Sequence, residues 1–246
     1  AYGLRDPIEE VWEQEGRFYD PLRPVIEPDG FASRDELFAS REALLASIRR
    51  AVEDADVFVF TMGLTESWQN RVAGFEYALC PGTVAGVFDP DKHVFHNHDL
   101  GEVLTDMRTV LRLLAKQNPR LRVLLTVSPV PLTATASGAH VLTATSYSKS
   151  VLRAVAGQLA ANQRQVDYFP SYEIVTHPVY RGMFFAPNQR SVVPEGVDVV
   201  MQNFFDDQAA AFGVERVPAA EPAAPQSDAT MVCDVKCEEE MLGAFA

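Results

Sequence analysis

The clearest periodic stretch follows Ser33. Leu37, Phe38, Arg41, Leu44, Leu45, Ile48 and Val52 hold nearly one face at helical spacing, with Arg41 its only polar member. Ser33 and Glu36, three positions apart, form a capping box that gives this helix a defined start. A second stripe, Val103, Leu104, Met107, Val110, Leu111 and Leu114, is capped by Asp99 with Glu102 and closed by Asn118-Pro119. A third helix carries Val151, Leu152, Val155 and Leu159 inward, with Ser148 as its expected cap. Pro194 suits the first turn of a last helix bearing Val197, Val200, Met201, Phe204 and Phe205.

Between these helices lie short, β-rich apolar runs at 57–60, 121–127 and 166–169, which predict buried parallel strands. Residues 75–95 predict a hairpin excursion, with 84–88 and 93–95 flanking the turn Asp89-Pro-Asp-Lys92. Residues 128–145 read as a long Thr/Ala-rich loop. The alternation predicts an α/β fold over residues 33–213, a three-layer α/β/α sandwich with a mainly parallel sheet and right-handed crossovers. Residues 1–32, rich in Pro, Gly and charge, predict an irregular arm. Residues 214–246 lose periodicity and predict a disordered acidic tail.

Composition narrows the function classes. The 246 residues are 47% hydrophobic, enough for a buried core. A formal net charge of -13 without a clustered basic face excludes a nucleic-acid backbone as partner. No apolar run reaches the roughly 20 residues of a membrane span. No signal peptide is visible, though residue 1 is Ala rather than Met, so that absence carries little weight. Three cysteines give no disulfide framework and suit a reducing compartment such as the cytoplasm. Cys80 lies in a turn, and Cys233 and Cys237, four apart in the tail, are too few for a metal site.

Polar residues gather where the strands end, and in open α/β sheets ligands bind beyond the carboxyl ends of strands. Four blocks stand there: Phe58-Val-Phe-Thr-Met-Gly-Leu-Thr-Glu-Ser-Trp68, Leu124-Leu-Thr-Val-Ser-Pro-Val-Pro131, Ser146-Tyr-Ser-Lys-Ser150 and Val166-Asp-Tyr-Phe-Pro-Ser-Tyr-Glu-Ile174. Gly63 allows close backbone approach, and Thr65 and Glu66 project polar groups. Ser128 follows the second strand, ahead of a loop containing His140. Ser171, Tyr172 and Glu173 follow the third, with His177 further on. Tyr147, Ser148 and Lys149 are placed at a helix start, where free N–H groups favour an anion or oxyanion. Glu66 and Glu173, carboxylates at strand termini, each need a partner to offset desolvation.

Each of these residues also has a structural reading. Ser148 is then a cap, Ser128 a strand-end turn, Tyr172 a half-buried lid, and either glutamate a partner of loop backbone. His93, His96 and His98 invite a metal reading. In a strand, however, 96 and 98 share a face while 93 points away, so only two imidazoles converge with Asp99. Surface histidines at a strand-to-helix junction are expected instead, and neither a metal nor a cofactor is.

These four blocks, in this order and spacing, resemble the GSCFA-domain family over about residues 17–206, beginning at Arg17-Phe-Tyr-Asp-Pro-Leu-Arg-Pro24. That family is similar to the SGNH/GDSL hydrolase-like proteins. The resemblance implies an acyl-ester hydrolase or O-acyltransferase acting on a small-molecule or carbohydrate ester. Gly63 N–H and Thr65 would help hold the oxyanion, and Glu66 and Glu173 would orient substrate or base. His140 or His177 would substitute as base, and Ser128, Tyr147, Ser148, Lys149, Ser171 and Tyr172 would line the pocket.

Two departures bear on that reading. The Gly-Ser-Cys-Phe-Ala signature, whose serine is the family's expected nucleophile, is absent, so the chain reads as a fragment lacking an N-terminal strand and nucleophile turn. The Asp-x-x-His pair of the wider group is replaced by Ala186-Pro-Asn-Gln-Arg-Ser-Val-Val-Pro194, with Asn188 in place of the Asp and no histidine following. The alternative is a non-catalytic carbohydrate- or polymer-binding domain that retains the pocket. Without its first strand, the sheet is expected to leave 57–60 as an unpaired apolar edge open to self-association.

Overall fold

A computed structural model describes Tyr2 and residues 8–213, and the expectations for 214–246, Cys233 and Cys237 lie outside the described residues. The N-terminal arm is not wholly irregular. It carries a hairpin of β1 (Trp12–Gln14) and β2 (Arg17–Tyr19), turned by Glu15 and Gly16, both at positive φ. Helix α1 (Arg34–Asp54) starts at the expected cap, where Ser33 Oγ accepts from Glu36 N at 3.1 Å, but the reciprocal half of the box shifts by one residue: Glu36 Oε2 accepts from Ala32 N at 2.8 Å rather than from Ser33 N. The lone polar residue of its stripe, Arg41, is buried against Asp20 of the arm, which accepts from it at 2.6 Å.

Strand β3 (Val57–Met62) leads into a three-stranded antiparallel sheet of β4 (Glu66–Asn70), β5 (Phe75–Tyr77) and β6 (His93–Asn97), in the order β5-β4-β6. The excursion is therefore larger than a hairpin, and the partner of β6 is β4. Residues 84–88 form no strand, because Gly82 and Gly86 sit at φ 94 and 78 and turn the chain. A side chain at Gly86 would meet Trp12 at 2.8 Å, which is how closely the arm lies on this loop. Trp12, Phe75, Tyr77 and Ala85 make a small core there, with Trp68 packed against it.

Helix α2 (Leu100–Gln117) has the expected reciprocal Asp99–Glu102 capping box and ends at Asn118. It leads to β7 (Arg122–Val127), α3 (Val141–Asn162), β8 (Val166–Tyr168), the short α4 (Ser171–Thr176), a single 3₁₀ turn Pro178–Tyr180 and α5 (Pro194–Phe212). Strands β3, β7 and β8 pair in parallel in the order β3-β7-β8. The fold is thus α/β with a parallel sheet. Val123, Leu125 and Val127 face α2 and α3, where Leu104, Met107, Leu111, Leu152, Val155 and Leu159 complete the main core. No described helix is long and apolar enough to cross a membrane.

Two expectations fail for physical reasons. The run 57–60 is not buried: Val57 and Val59 are 55% and 56% exposed, because β3 is an edge strand whose Val57/Val59 face is uncovered. Helix α3 begins at Val141, not near Ser148, and its cap is His140, whose Nδ1 accepts from Leu142 N at 3.3 Å.

Candidate functional site

The strand-to-strand link after β3 carries a connected polar network. Ser128 N donates to Met62 O at 2.9 Å, so β3 and β7 end together. Gly63, Leu64 and Thr65 then turn the chain into β4. Two α3 side chains hold this turn from behind: Ser148 Oγ accepts from Thr65 N at 3.0 Å, and Lys149 Nζ donates to Gly63 O at 2.8 Å. Thr65 Oγ1 bonds Asn97 Oδ1 at 2.7 Å, and Thr65 O accepts from His98 N at 2.9 Å. The outer side of Gly63 is open, with nothing within 4 Å of where a Cβ would stand.

This geometry corrects one expectation. Tyr147, Ser148 and Lys149 lie inside α3, past its first turn, where backbone N–H groups are used within the helix. They therefore do not form a helix-start anion site. Ser148 and Lys149 are buried fasteners of the Gly63–Thr65 backbone, while Tyr147 is half-exposed with its hydroxyl 3.5 Å from His98 O.

Glu66 opens β4 half-buried, and its Oε1 accepts from Thr135 Oγ1 at 2.5 Å. Thr135 belongs to the loop between β7 and α3, which folds over the strand ends. Ser128 Oγ turns the loop's start by accepting from Val130 N at 3.2 Å. The buried Arg190 donates to Pro131 O, and Leu132 N donates to Thr145 Oγ1 at 3.2 Å. Glu66 therefore has a hydroxyl partner at the position where its carboxylate needed one.

A second polar group forms at the ends of β7 and β8. Ser171 Oγ bonds Thr126 Oγ1 and donates to Val127 O at 3.2 Å. Glu173 pairs with Arg153 and accepts from Tyr168 O–H at 2.7 Å, and Arg153 stacks over the Tyr168 ring at 4.2 Å. Burial, and then the Glu173 carboxylate, push the Tyr168 phenol well above its ordinary value. Tyr172 packs half-buried against the main core.

The two candidate imidazoles are engaged within their own turns. His140 Nδ1 caps α3, and His177 Nδ1 accepts from Val179 N at 3.2 Å to cap the following 3₁₀ turn. An accepting Nδ1 leaves the neutral ring's proton on Nε2, the reverse of the tautomer that a general base acting through Nε2 requires. Asn188, in the place of the expected Asp, makes a local turn: its Oδ1 accepts from Arg190 N and Ser191 N, both at 3.0 Å.

The structure thus connects Gly63, Thr65, Glu66, Ser128, Ser148 and Lys149 through one network, and Ser171 and Glu173 through another. Sequence reasoning missed Asn97, Thr135, Thr126 and Arg153. Each supplies the partner of a residue that was found; Thr126 stands within the quoted Leu124–Pro131 block, while Asn97, Thr135 and Arg153 lie outside all four blocks. Among known families, the model described as GSCFA family matches residues 2–204 of the chain. No curated protein matches it.

Proposed function

This chain belongs to the GSCFA family, and on that premise we propose that it is the ligand-positioning portion of an SGNH-like acyl-ester hydrolase or O-acyltransferase, with an acylated carbohydrate as the substrate class. The observation that carries this reading is the fastened turn Gly63–Thr65. Its backbone is fixed by Ser148 and Lys149, its outer side is open, and the Glu66 carboxylate stands at its end. A rigid backbone turn at the carboxyl end of a parallel sheet is what oxyanion stabilisation requires, since donors that need no reorganisation stabilise developing charge best. In this scheme Gly63 N–H helps hold the oxyanion and Glu66 orients the substrate; Thr65, whose N–H and hydroxyl are both committed to Ser148 and Asn97, fixes the turn and donates nothing to the ligand. The nucleophile of this scheme is the serine of the Gly-Ser-Cys-Phe-Ala signature, which residues 1–246 do not contain.

Active-site labelling tests this reading. The natural gene product is treated with a fluorophosphonate probe, and the labelled peptide is identified by mass. Acetate release from an acetylated oligosaccharide is measured in parallel. The reading expects one labelled serine outside residues 1–246 and turnover that falls at least about 100-fold in Glu66→Ala. No labelling and no turnover, with saturable binding of the oligosaccharide, would overturn it in favour of a non-catalytic binding domain. That second reading is favoured by the caps on His140 and His177 and the pairing of Glu173 with Arg153, which occupy the candidate bases.

A further inference from the structure

The antiparallel sheet has two unlike faces. Side chains alternate along each strand, so Trp68, Tyr77 and Phe95 share one face while Ser67, Gln69, Glu76 and His96 share the other. His98, two residues beyond His96, lies on the polar side with it, and the two imidazoles stand 4.4 Å apart, edge to face. Glu102, in the first turn of α2, reaches over them: both its oxygens lie 3.1 Å from His96 Nε2. Glu76 Oε1 lies 3.0 Å from His98 Nε2, and Ser67 Oγ is 3.2 Å from the same nitrogen.

We propose that His96, His98 and Glu102 bind a divalent transition-metal ion of the zinc class, with the fourth position left to solvent. Ligand atoms of the first three lie within 4.8 Å of one another. Donors about 2.0–2.1 Å from a tetrahedral ion stand roughly 3.3 Å apart, close to the 3.1 Å between His96 Nε2 and the Glu102 oxygens. An all-nitrogen-and-oxygen set built on two imidazoles suits zinc and its first-row neighbours rather than calcium or magnesium.

The bland account is two separate surface His–Glu pairs. It gives no reason for the two pairs to converge, with the imidazoles 4.4 Å apart and ligand atoms of His96, His98 and Glu102 within 4.8 Å of one another, and one shared cation does. The Glu102 carboxylate is also held in place beforehand, because its Oε2 accepts from Asp99 N at 2.8 Å in the capping box. Asp99, the carboxylate nearest the histidines in sequence, is instead committed to that cap through Glu102 N at 2.9 Å. A bound ion would tie the end of β6 to the start of α2 next to Thr65, whose carbonyl accepts from His98 N.

Calorimetric titration of the chelator-stripped chain with Zn²⁺ near neutral pH tests this, with Co²⁺ as the spectroscopic substitute. One equivalent is expected to bind, with Co²⁺ giving the visible bands of a four-coordinate site. His96→Ala and His98→Ala should each weaken affinity at least about 10-fold. Glu102→Gln should do the same with unchanged helical circular dichroism, since Gln still completes a capping box. Cys233→Ser combined with Cys237→Ser should leave binding intact, which separates this site from the tail thiols. Absence of saturable Zn²⁺ binding, binding that survives His96→Ala with His98→Ala, or binding lost with the two cysteines overturns the proposal.

Discussion

Ser148 Oγ accepts the backbone N–H of Thr65 at 3.0 Å, and both residues are buried from solvent. One hydroxyl on α3 thereby fixes the turn where the parallel sheet hands over to the antiparallel one. Replacing Ser148 by Ala leaves a buried N–H without its acceptor, which costs about 1–3 kcal/mol. For a chain of this size that lowers Tm by roughly 2–4 °C per kcal/mol. Scanning calorimetry checks it, and a Ser148→Ala variant as stable as the parent would show that the turn is held by other contacts.

Asp20 holds the arm to α1 through Arg41 and Arg23, with Leu22 N–H a further donor at 3.0 Å. Asp20→Ala leaves the buried Arg41 without its counter-ion, and the expected loss is about 3–5 kcal/mol. A denaturant midpoint reduced by less than a third of that would argue for a hydrated, weakly coupled pair.

The same carboxylate sets an acid limb. Burial by itself raises its pKa, but the Arg41, Leu22 and Arg23 donors outweigh that and hold it below the ordinary Asp value. Its contribution to stability is therefore complete above that ordinary value, about 3.9. It is lost as pH falls through the lower folded-state value. Melting temperature against pH should show this limb in the parent chain and a flattened one in Asp20→Asn.

Strand β3 exposes Val57, Val59 and Phe60 on an edge with no second strand partner among the described residues. An apolar edge of this kind templates pairing with another chain. Sedimentation of the chain as given should show concentration-dependent association, and Val59→Lys should return it to monomer. A parent chain that stays monomeric at every concentration would mean that the edge is already covered.

Glu173 contributes more to the Tyr168 phenol than to stability. Its ion pair with Arg153 is over a third exposed on both sides, so solvent screening keeps its value within about 1 kcal/mol. Glu173→Gln should leave Tm nearly unchanged and bring the Tyr168 titration down toward the ordinary tyrosine range, as read by ultraviolet titration. An unmoved phenol would assign its shift wholly to burial.

What the sequence made legible follows from what each element depends on. The α2 stripe and its Asp99–Glu102 box were readable because period and cap are local, and the three parallel strands because apolar runs of that length have few other uses. Residues 141–147, with Thr143, Thr145 and Ser146, resemble loop. They become helical because Ala144 is buried and Thr145 Oγ1 receives Leu132 N. Strand β4 carries little intrinsic strand preference beyond Trp68, so only its two partners reveal it. At the site, Gly63, Thr65 and Glu66 were visible from their place at a strand end. That Ser148 and Lys149 face them is not legible, because the Thr-rich stretch before them gives no sign that α3 begins at Val141. Glu102 is masked by its own capping role, which accounts for it without His96.

The antiparallel sheet also has a kinetic meaning. It fills most of the chain between β3 and β7, two strands that must find each other in parallel register. Closing so long a loop is entropically slow, and non-local parallel pairing is the kind that delays folding. Strands β4, β5 and β6 pair with neighbours close in sequence, so they can zip early and bring the end of β3 toward the start of α2. What looks in the finished molecule like an appendage is then a splint, shortening the search that the central sheet has to make.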